Sequence, residues 1–295
     1  MSKKWFYFIF SGLIIIPGII SLVLWGIKPS IDFTGGTLLE VQSPHFKVQS
    51  NKEQIKKIIE KENIGIGSIT QSENDTYLLR LKTVENTQHQ KLLTEFKKQF
   101  TDIKELRFET VGPTIGKETT NNAFKAVLIA SMLIITFIAW AFRKIPKPYS
   151  SIKFGICAVV ALIHDILVVV GVFSLLGHFY NVEIDSLFIT ALLTIMGFSV
   201  HDTIVVFDRI RENLRKMAGE DFELVVNESI IQTLARSLST SLTVIFTLIA
   251  LLLFGGDSIR WFVVALLIGV TSGTYSSIFN AAPLLVVWEE WGKRN

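Results

Sequence analysis

The sequence predicts a membrane all-α bundle of six transmembrane helices carrying one α+β, ferredoxin-like domain outside the cytoplasm. Three observations predict it. Of the 295 residues, 49% are hydrophobic and 19% charged, against about 25% charge in an ordinary soluble domain. The mean hydropathy is +0.45, and the apolar residues gather into six long runs. Between the first two runs lies a polar stretch of soluble composition whose periodicity alternates between strand and helix.

The six runs are residues 5–27, 123–142, 152–176, 186–207, 237–254 and 261–288. Each is near the ~20 residues that cross a bilayer as a helix, and the last is long enough to tilt. Pro17 and Pro283 lie inside the first and last runs, where a bilayer helix tolerates them better than a soluble one does. The first run follows Lys3 and Lys4 and superficially looks like a signal peptide. Its length and the lack of a small-x-small cleavage site instead predict an uncleaved first span. The expected division is 1–27 for the terminus and first span, 28–122 for the outer domain, and 123–295 for a five-helix domain with a loop at 208–236.

An even number of spans puts both ends on one side. Residues before 5, the 143–153 and 208–236 loops, and the tail after 290 together hold 13 Lys and Arg, whereas the short loops 177–184 and 255–260 hold Arg260 alone. That asymmetry predicts cytoplasmic termini. The net charge of +3 is too small to argue for nucleic acid. Cys157 is the single cysteine, so the outer domain must fold without an internal disulfide.

Within the 28–122 stretch, residues 37–42, 66–71, 76–82 and 105–111 read as strands. Ile55, Ile58 and Ile59, then Leu92, Leu93, Phe96 and Phe100, mark two amphipathic helices. The order β-α-β-β-α-β is the ferredoxin-like pattern. In the 208–236 loop, Gly219 is expected to end a helix continuing from span four. A separate surface helix at 223–235 is expected to lead into span five.

Ionisable residues inside the spans carry the most information, since each costs on the order of 3 kcal/mol or more at the bilayer centre unless paired or hydrated. Asp202, beside His201, falls about 9 Å inside the cytoplasmic end of span four at ~1.5 Å rise per residue. Asp165, beside His164, falls roughly 20 Å into span three by the same rise. Arg236 opens span five at a depth overlapping Asp202, which allows an Asp202–Arg236 pair. A carboxyl group shielded from water holds its proton more tightly, and a nearby guanidinium opposes that effect. Asp202 is therefore read as a proton site, with a static ion pair as the competing explanation; for His164 and Asp165 a structural role competes with a relay role.

Thr190, Thr194, Gly197 and His201 share one face of span four, and Ser237, Thr240, Ser241, Thr243 and Thr247 form a broader polar stripe on span five. Both patterns suit either a hydrated path or close helix packing. Gly269 and Gly273 form a GxxxG in span six, extended by Ser276 and Ser277, and are read as packing. Asp32, Gly35 and Gly36 form a turn after span one that needs positive φ. No phosphate loop, zinc spacing, Ser/His/Asp arrangement or Rossmann fingerprint is found, and nothing argues for an enzyme.

These residues resemble the SecF family of protein-export membrane subunits, within the RND-like superfamily. The likeness rests on IDFTGGT at 31–37, FETVGPTIG at 108–116, ALIHDI at 161–166 and GFSVHDTIVVFDRIREN at 197–213, with FGG at 254–256 and 269–277 also fitting. The resemblance implies a bacterial plasma-membrane protein that joins SecD and acts with the SecYEG channel, SecA and the emerging preprotein. The proton is its coupling ion, and no cofactor is expected. It also implies that Asp202 and Arg236 are the family's intramembrane acid and arginine, with an uncharged residue, often Asn, expected where His201 stands. A histidine there could tune the acid or join the relay. An RND-like half-transporter for small molecules or lipids, or a non-transporting scaffold of the translocase, would share the six-span plan.

Overall fold

The structure, a computed structural model, describes residues 4–44, 50–72, 75–100, 102–146 and 148–294. Lys3 and Lys147, counted above among the cytoplasmic charges, lie outside the described residues. The chain divides into two compact units, one of Met1–Lys28 with Lys125–Asn295 and one of Pro29–Phe124.

The smaller unit follows the β-α-β-β-α-β order. Its strands are β1 (Gly36–Gln42), β2 (Ile66–Ser72), β3 (Thr76–Leu81) and β4 (Lys104–Val111), and its long helices are α3 (Ser50–Lys61) and α4 (Asn86–Gln99). All pairings are antiparallel in the order β2-β3-β1-β4, with Leu39 opposite Leu79 and Phe108. Alternate strand residues Leu39, Val41, Tyr77, Leu79 and Leu81 are buried with Ile55, Ile58 and Ile59 of α3 and Leu92 and Phe96 of α4. Two periodicities thus meet in one core, as the sequence pattern requires.

A short helix, α2 (Ile31–Thr34), precedes β1, and the Ser30 hydroxyl caps it by accepting the Asp32 amide at 3.2 Å. Gly35 and Gly36 then turn the chain with φ of 71° and 124°. A side chain on Gly35 would place its Cβ 2.9 Å from the Pro113 Cα, and one on Gly116 would sit 2.7 Å from the Gly35 nitrogen. The glycine pair therefore serves two needs, an uncommon backbone conformation and close seating against the first turn of α5 (Pro113–Ala141).

The larger unit holds six helices of spanning length and composition. They are α1 (Lys4–Leu24), α5, α6 (Ser151–Tyr180), α7 (Ser186–Lys216), α8 (Phe222–Phe254) and the composite α9 (Arg260–Ser276) with α10 (Ala282–Arg294). A π-turn, Ser277–Ala281, joins the last two. Pro283 lacks the amide that would close the regular bond to residue 279, and the helix widens just before it. Asp185 caps α7 by accepting the Phe188 amide, and Asn181 ends α6 in the left-handed region at φ 56°.

Small residues set the helix contacts. On α1, Ser11, Gly18 and Ser21 are the buried positions. Gly18 meets Gly171 of α6 so closely that a Cβ on Gly171 would lie 2.7 Å from the Gly18 Cα, and Ser21 shares a 2.6 Å hydrogen bond with Ser174. A Cβ on Gly269 of α9 would meet Ile195 of α7 at 2.3 Å. Without water to squeeze out between helices, such close backbone approach is what favours association. At one end, Lys4 pairs with Glu290 and Lys153 with Glu289, both N–O distances 2.6–2.7 Å. Those contacts gather the starts of α1 and α6 with α10.

Two expectations are corrected. The helix anticipated at 223–235 is not separate from span five, since α8 runs unbroken for 33 residues. No Gly or Pro interrupts 222–254, and Phe222, Val225 and Val226 are buried against Ile210 and Leu214 at the end of α7. Span two also starts ten residues earlier than its apolar run, because Pro113 suits a first helical position and the polar turns after it still favour helix. Only 6% of the crossing stretch of α5 is buried. Its C-terminal end is held more firmly, where Phe142 packs on Phe154 and Phe207 and Arg211 and Arg215 donate to the Ala141 and Lys144 carbonyls at 3.4 Å.

Two outcomes are expected. Gly171→Leu drives α1 off α6 and lowers membrane-domain stability by about 2 kcal/mol or more, read as a lower unfolding midpoint in detergent. In the outer unit, Lys61 and Lys98 hold the Glu95 carboxyl at about 2, below the ordinary ~4.3. A depressed carboxyl contributes stability above its unfolded value and loses it as pH falls through the folded one. Glu95→Gln should therefore flatten the acid limb of stability between about pH 4 and about pH 2, an effect that high salt also removes.

Candidate functional site

Two carboxylates are buried within the membrane unit, and their surroundings differ. Asp165, on α6, is 0% exposed. Its Oδ2 accepts hydrogen bonds from Ser199 of α7 at 2.6 Å and Ser276 of α9 at 2.7 Å. Its Oδ1 accepts from Ser272 of α9 at 2.7 Å and contacts the His164 Nδ1 at 3.0 Å. Three helices thus converge on one side chain. Gly273 leaves the room for this: a Cβ there would lie 3.3 Å from the Ser199 Cα and 3.6 Å from the Asp165 Oδ2. Both glycines of the GxxxG face close neighbours on α7, Ile195 at Gly269 and Ser199 at Gly273, and the second also opens the carboxylate's berth.

Asp202, on α7, is 2% exposed. Its Oδ2 has no hydrogen-bond partner among the described residues. Its Oδ1 lies 3.9 Å from the His201 Nδ1, on an imidazole 62% exposed, and the Ser241 hydroxyl of α8 stands beside the carboxyl. Ser241 in turn accepts from Thr274 of α9 at 2.6 Å. The next residue of α7, Thr203, bonds the Ser277 hydroxyl at 3.0 Å and donates to the Ser199 carbonyl. Hydroxyls of α9 and the π-turn therefore touch the neighbourhoods of both acids.

The Asp202–Arg236 pair that the shared depth allowed is not formed. Arg236 is exposed on α8 and lines a groove of about 340 Å³ with Asp208, Arg209, Glu212, Gln232 and Thr233. The structure brings Asp202 together with His201 and Ser241, and leaves Arg236 on the same helix pair but facing outward. The polar stripe of span four is wholly exposed, with Thr190, Thr194, Gly197 and His201 all on the surface. The span-five stripe divides: Ser237 and Ser241 are buried, while Thr240, Thr243 and Thr247 are exposed and return their hydroxyls to their own helix. Such self-bonding lets a hydroxyl sit in an apolar medium at low cost.

Sequence reasoning did not single out Ser199 and Ser272 as partners of Asp165. Ser272 and Ser276 lie at i and i+4 on α9, a spacing that marks one face, but nothing in that spacing names the acid they meet. Among the described residues no cluster of His, Cys, Asp or Glu could hold a metal ion.

A six-helix membrane bundle with acids buried between helices and an α+β unit inserted after the first span is the build of a multi-pass transport protein. The family model described as protein export membrane protein SecD/SecF, C-terminal, matches residues 91–291, and the SecD/SecF GG motif matches residues 20–43. The protein translocase subunit SecF of Thermobaculum terrenum is 47% identical over 97% of this chain and 92% of its own length. The SecF of Anaerolinea thermophila is 43% identical over 100% and 95%. A crystal structure of SecDF, a translocon-associated membrane protein from Thermus thermophilus, superposes with a TM-score of 0.82 at 33% identity, covering 98% of this chain and 38% of the solved one. The chain belongs to the SecD/SecF family and, like these relatives, is a protein translocase subunit of the SecF type.

Removing one donor from Asp165 tests the cluster. Ser276→Ala or Ser199→Ala should each cost about 1–2 kcal/mol, while Asp165→Leu, which strands three hydroxyls, should cost more than either; thermal unfolding in detergent reads all three.

Proposed function

We propose that this chain is the SecF half of a proton-driven SecD–SecF assembly in a bacterial plasma membrane. It would work beside the SecYEG channel and SecA on the preprotein emerging outside, as a coupling subunit without enzymatic activity of its own and with the proton in place of any cofactor. The observation that carries this reading is Asp202, buried to 2% yet with one carboxyl oxygen free of hydrogen bonds among the described residues. A buried oxygen without a donor is costly while charged and becomes cheap when protonated. Such a group gains or loses a proton whenever its access to water changes.

The elements around it fit this use. His201, exposed and 3.9 Å away, is placed to pass a proton between the surface and Asp202. Arg236 lies on the neighbouring helix in the polar groove, so a rotation of α8 against α7 would let it approach an ionised Asp202 and withdraw from a neutral one. Each proton crossing supplies about 2.3 kcal/mol per 100 mV, enough to bias two packings of the helices.

His201 and Arg236, both exposed on the α7–α8 face, are unlike a lipid-facing surface, and a second membrane subunit covering them suits their chemistry. The solved SecDF chains extend well beyond this one, which spans 38% of their length, and the SecDF of Bacillus subtilis is likewise matched over 38%. SecD is accordingly the partner assigned to this face, with lipid around the rest. The charged ends of α1, α6 and α10, all on one side, with the 13 basic residues, support cytoplasmic termini.

Precursor uptake into inverted membrane vesicles tests the reading. Asp202→Asn is expected to abolish the part of export that depends on the proton gradient and to leave the gradient-independent part intact. Full gradient-driven export in that variant would leave a scaffold. Efflux of a small molecule without the channel would instead make the chain a half-transporter.

A further inference from the structure

Coupling through Asp202 gives no work to the His164–Asp165 pair at the centre of α6. The surroundings of that pair constrain its protons closely. Ser199, Ser272 and Ser276 each donate a hydroxyl hydrogen to Asp165, so both carboxylate oxygens act as acceptors. The fourth contact, at 3.0 Å, is the His164 Nδ1. Against an anionic oxygen that nitrogen must donate, since two acceptors facing each other would repel. The ring is therefore fixed with hydrogen on Nδ1. In the neutral imidazole this leaves a bare lone pair on Nε2, the same orientation by which a carboxylate prepares a catalytic histidine.

The His164 Nε2 is buried and has no hydrogen-bond partner among the described residues. Its level in the bundle is also informative. The Gly18–Gly171 and Ser21–Ser174 contacts of α1 and α6 share one offset, and the same offset brings Ser11 level with His164. Ser11 bonds Asn280 of the π-turn at 2.8–2.9 Å, so a polar layer crosses the bundle at this depth.

Other ionisable groups on the helices packed against α6 are few within the membrane. On α7 there are His201 and Asp202, the former mostly exposed. On α9 Tyr275 donates to the Tyr7 carbonyl of α1. On α10 Glu289 is held at the bundle end by Lys153. None of these is a cation placed to oppose a charge on His164.

We propose that His164 is a second proton-binding site of the membrane unit, its Nε2 taking the proton and Asp165, clamped by three serines, orienting the ring and balancing the imidazolium. The step forms one N–H bond and breaks none in the dyad; the proton comes from and returns to water as access changes. Asp165 is a positioning residue in this scheme. The proposal rests on gradient-driven export, and its test separates the two.

Full-length chain labelled with ¹⁵N-histidine, assembled with its partner in lipid, is titrated by solid-state NMR from about pH 9 to about pH 5, a range that brackets ordinary histidine behaviour. The expected result is a His164 ring with hydrogen on Nδ1 alone at the alkaline end and on both nitrogens at the acid end. In parallel, His164→Asn keeps a donor to Asp165 but cannot take the proton, and is expected to lose the gradient-dependent part of export. A His164 ring that is invariant across the range, or hydrogen on Nε2 alone, overturns the proposal. So does unchanged gradient-driven export in a folded His164→Asn. Where that variant does not fold, the NMR titration of the native chain decides. An invariant His164 alongside an inactive Asp202→Asn removes this inference only; an active Asp202→Asn removes the export reading and leaves the titration to stand.

Discussion

A carboxylate in the interior of a bilayer must find its hydrogen-bond donors within the protein, and the packing of this bundle follows from that requirement at Asp165. Three hydroxyls from α7 and α9 end on one side chain of α6. To deliver them, the helices must approach closely, and Gly273 is the residue that permits it. Small residues elsewhere, such as Gly18 against Gly171, set the spacing of α1. The polar contact fixes which faces meet, and the glycines fix how near they come. Neither would suffice alone: glycines without the acid allow several registers, and the acid without the glycines would be left unsatisfied.

The two buried acids divide two physical tasks. Asp165 is fully bonded, which makes it a rigid junction of three helices. Asp202 is nearly as buried, but one oxygen lacks a donor and its neighbour His201 reaches the surface. A buried polar group without its full set of partners costs free energy. The hydroxyls of α9 lie between them, Ser276 on Asp165 and Thr274 on Ser241 beside Asp202. Rearrangement at one acid is therefore felt through a helix that also holds the other. The π-turn and Pro283 lie directly after that segment, where the regular helical ladder is already interrupted.

Much of this was legible in the sequence, for identifiable reasons. Length and hydropathy fix the six spans because a bilayer imposes a length. Alternation and 3.6-residue spacing gave the β-α-β-β-α-β order because one sheet face and two helix faces share a core. The Gly35–Gly36 turn was readable because positive φ has few alternatives. Which hydroxyl meets which acid was not readable, since Ser199 and Ser272 are 34 and 107 residues from Asp165 and serines are ordinary helix-packing material. The proposed Asp202–Arg236 contact relied on depth alone. Depth is a one-dimensional coordinate, and the angular position of Arg236 on α8 carries it into the groove with Asp208 and Glu212 instead. The surface helix anticipated at 223–235 differs for a similar reason: its apolar residues pack on the end of α7, beyond the span itself.

The C-terminal end of α7 adds a last constraint. Arg211 and Arg215, one turn apart, donate to the carbonyl of Ala141, the last residue of α5, and to that of Lys144 in the turn just after it. Cations suit that site because the helix dipole places negative charge there. Since α5 is otherwise nearly unburied along its crossing stretch, these contacts and the Phe142 cluster are what tie it to the helix bearing Asp202. At its other end α5 grows directly from the strand-and-turn region through Pro113, where the glycine turn seats against it. The basic residues that sequence reasoning assigned to topology therefore also hold a neighbouring chain segment through its carbonyls, and both uses follow from the same positive charge.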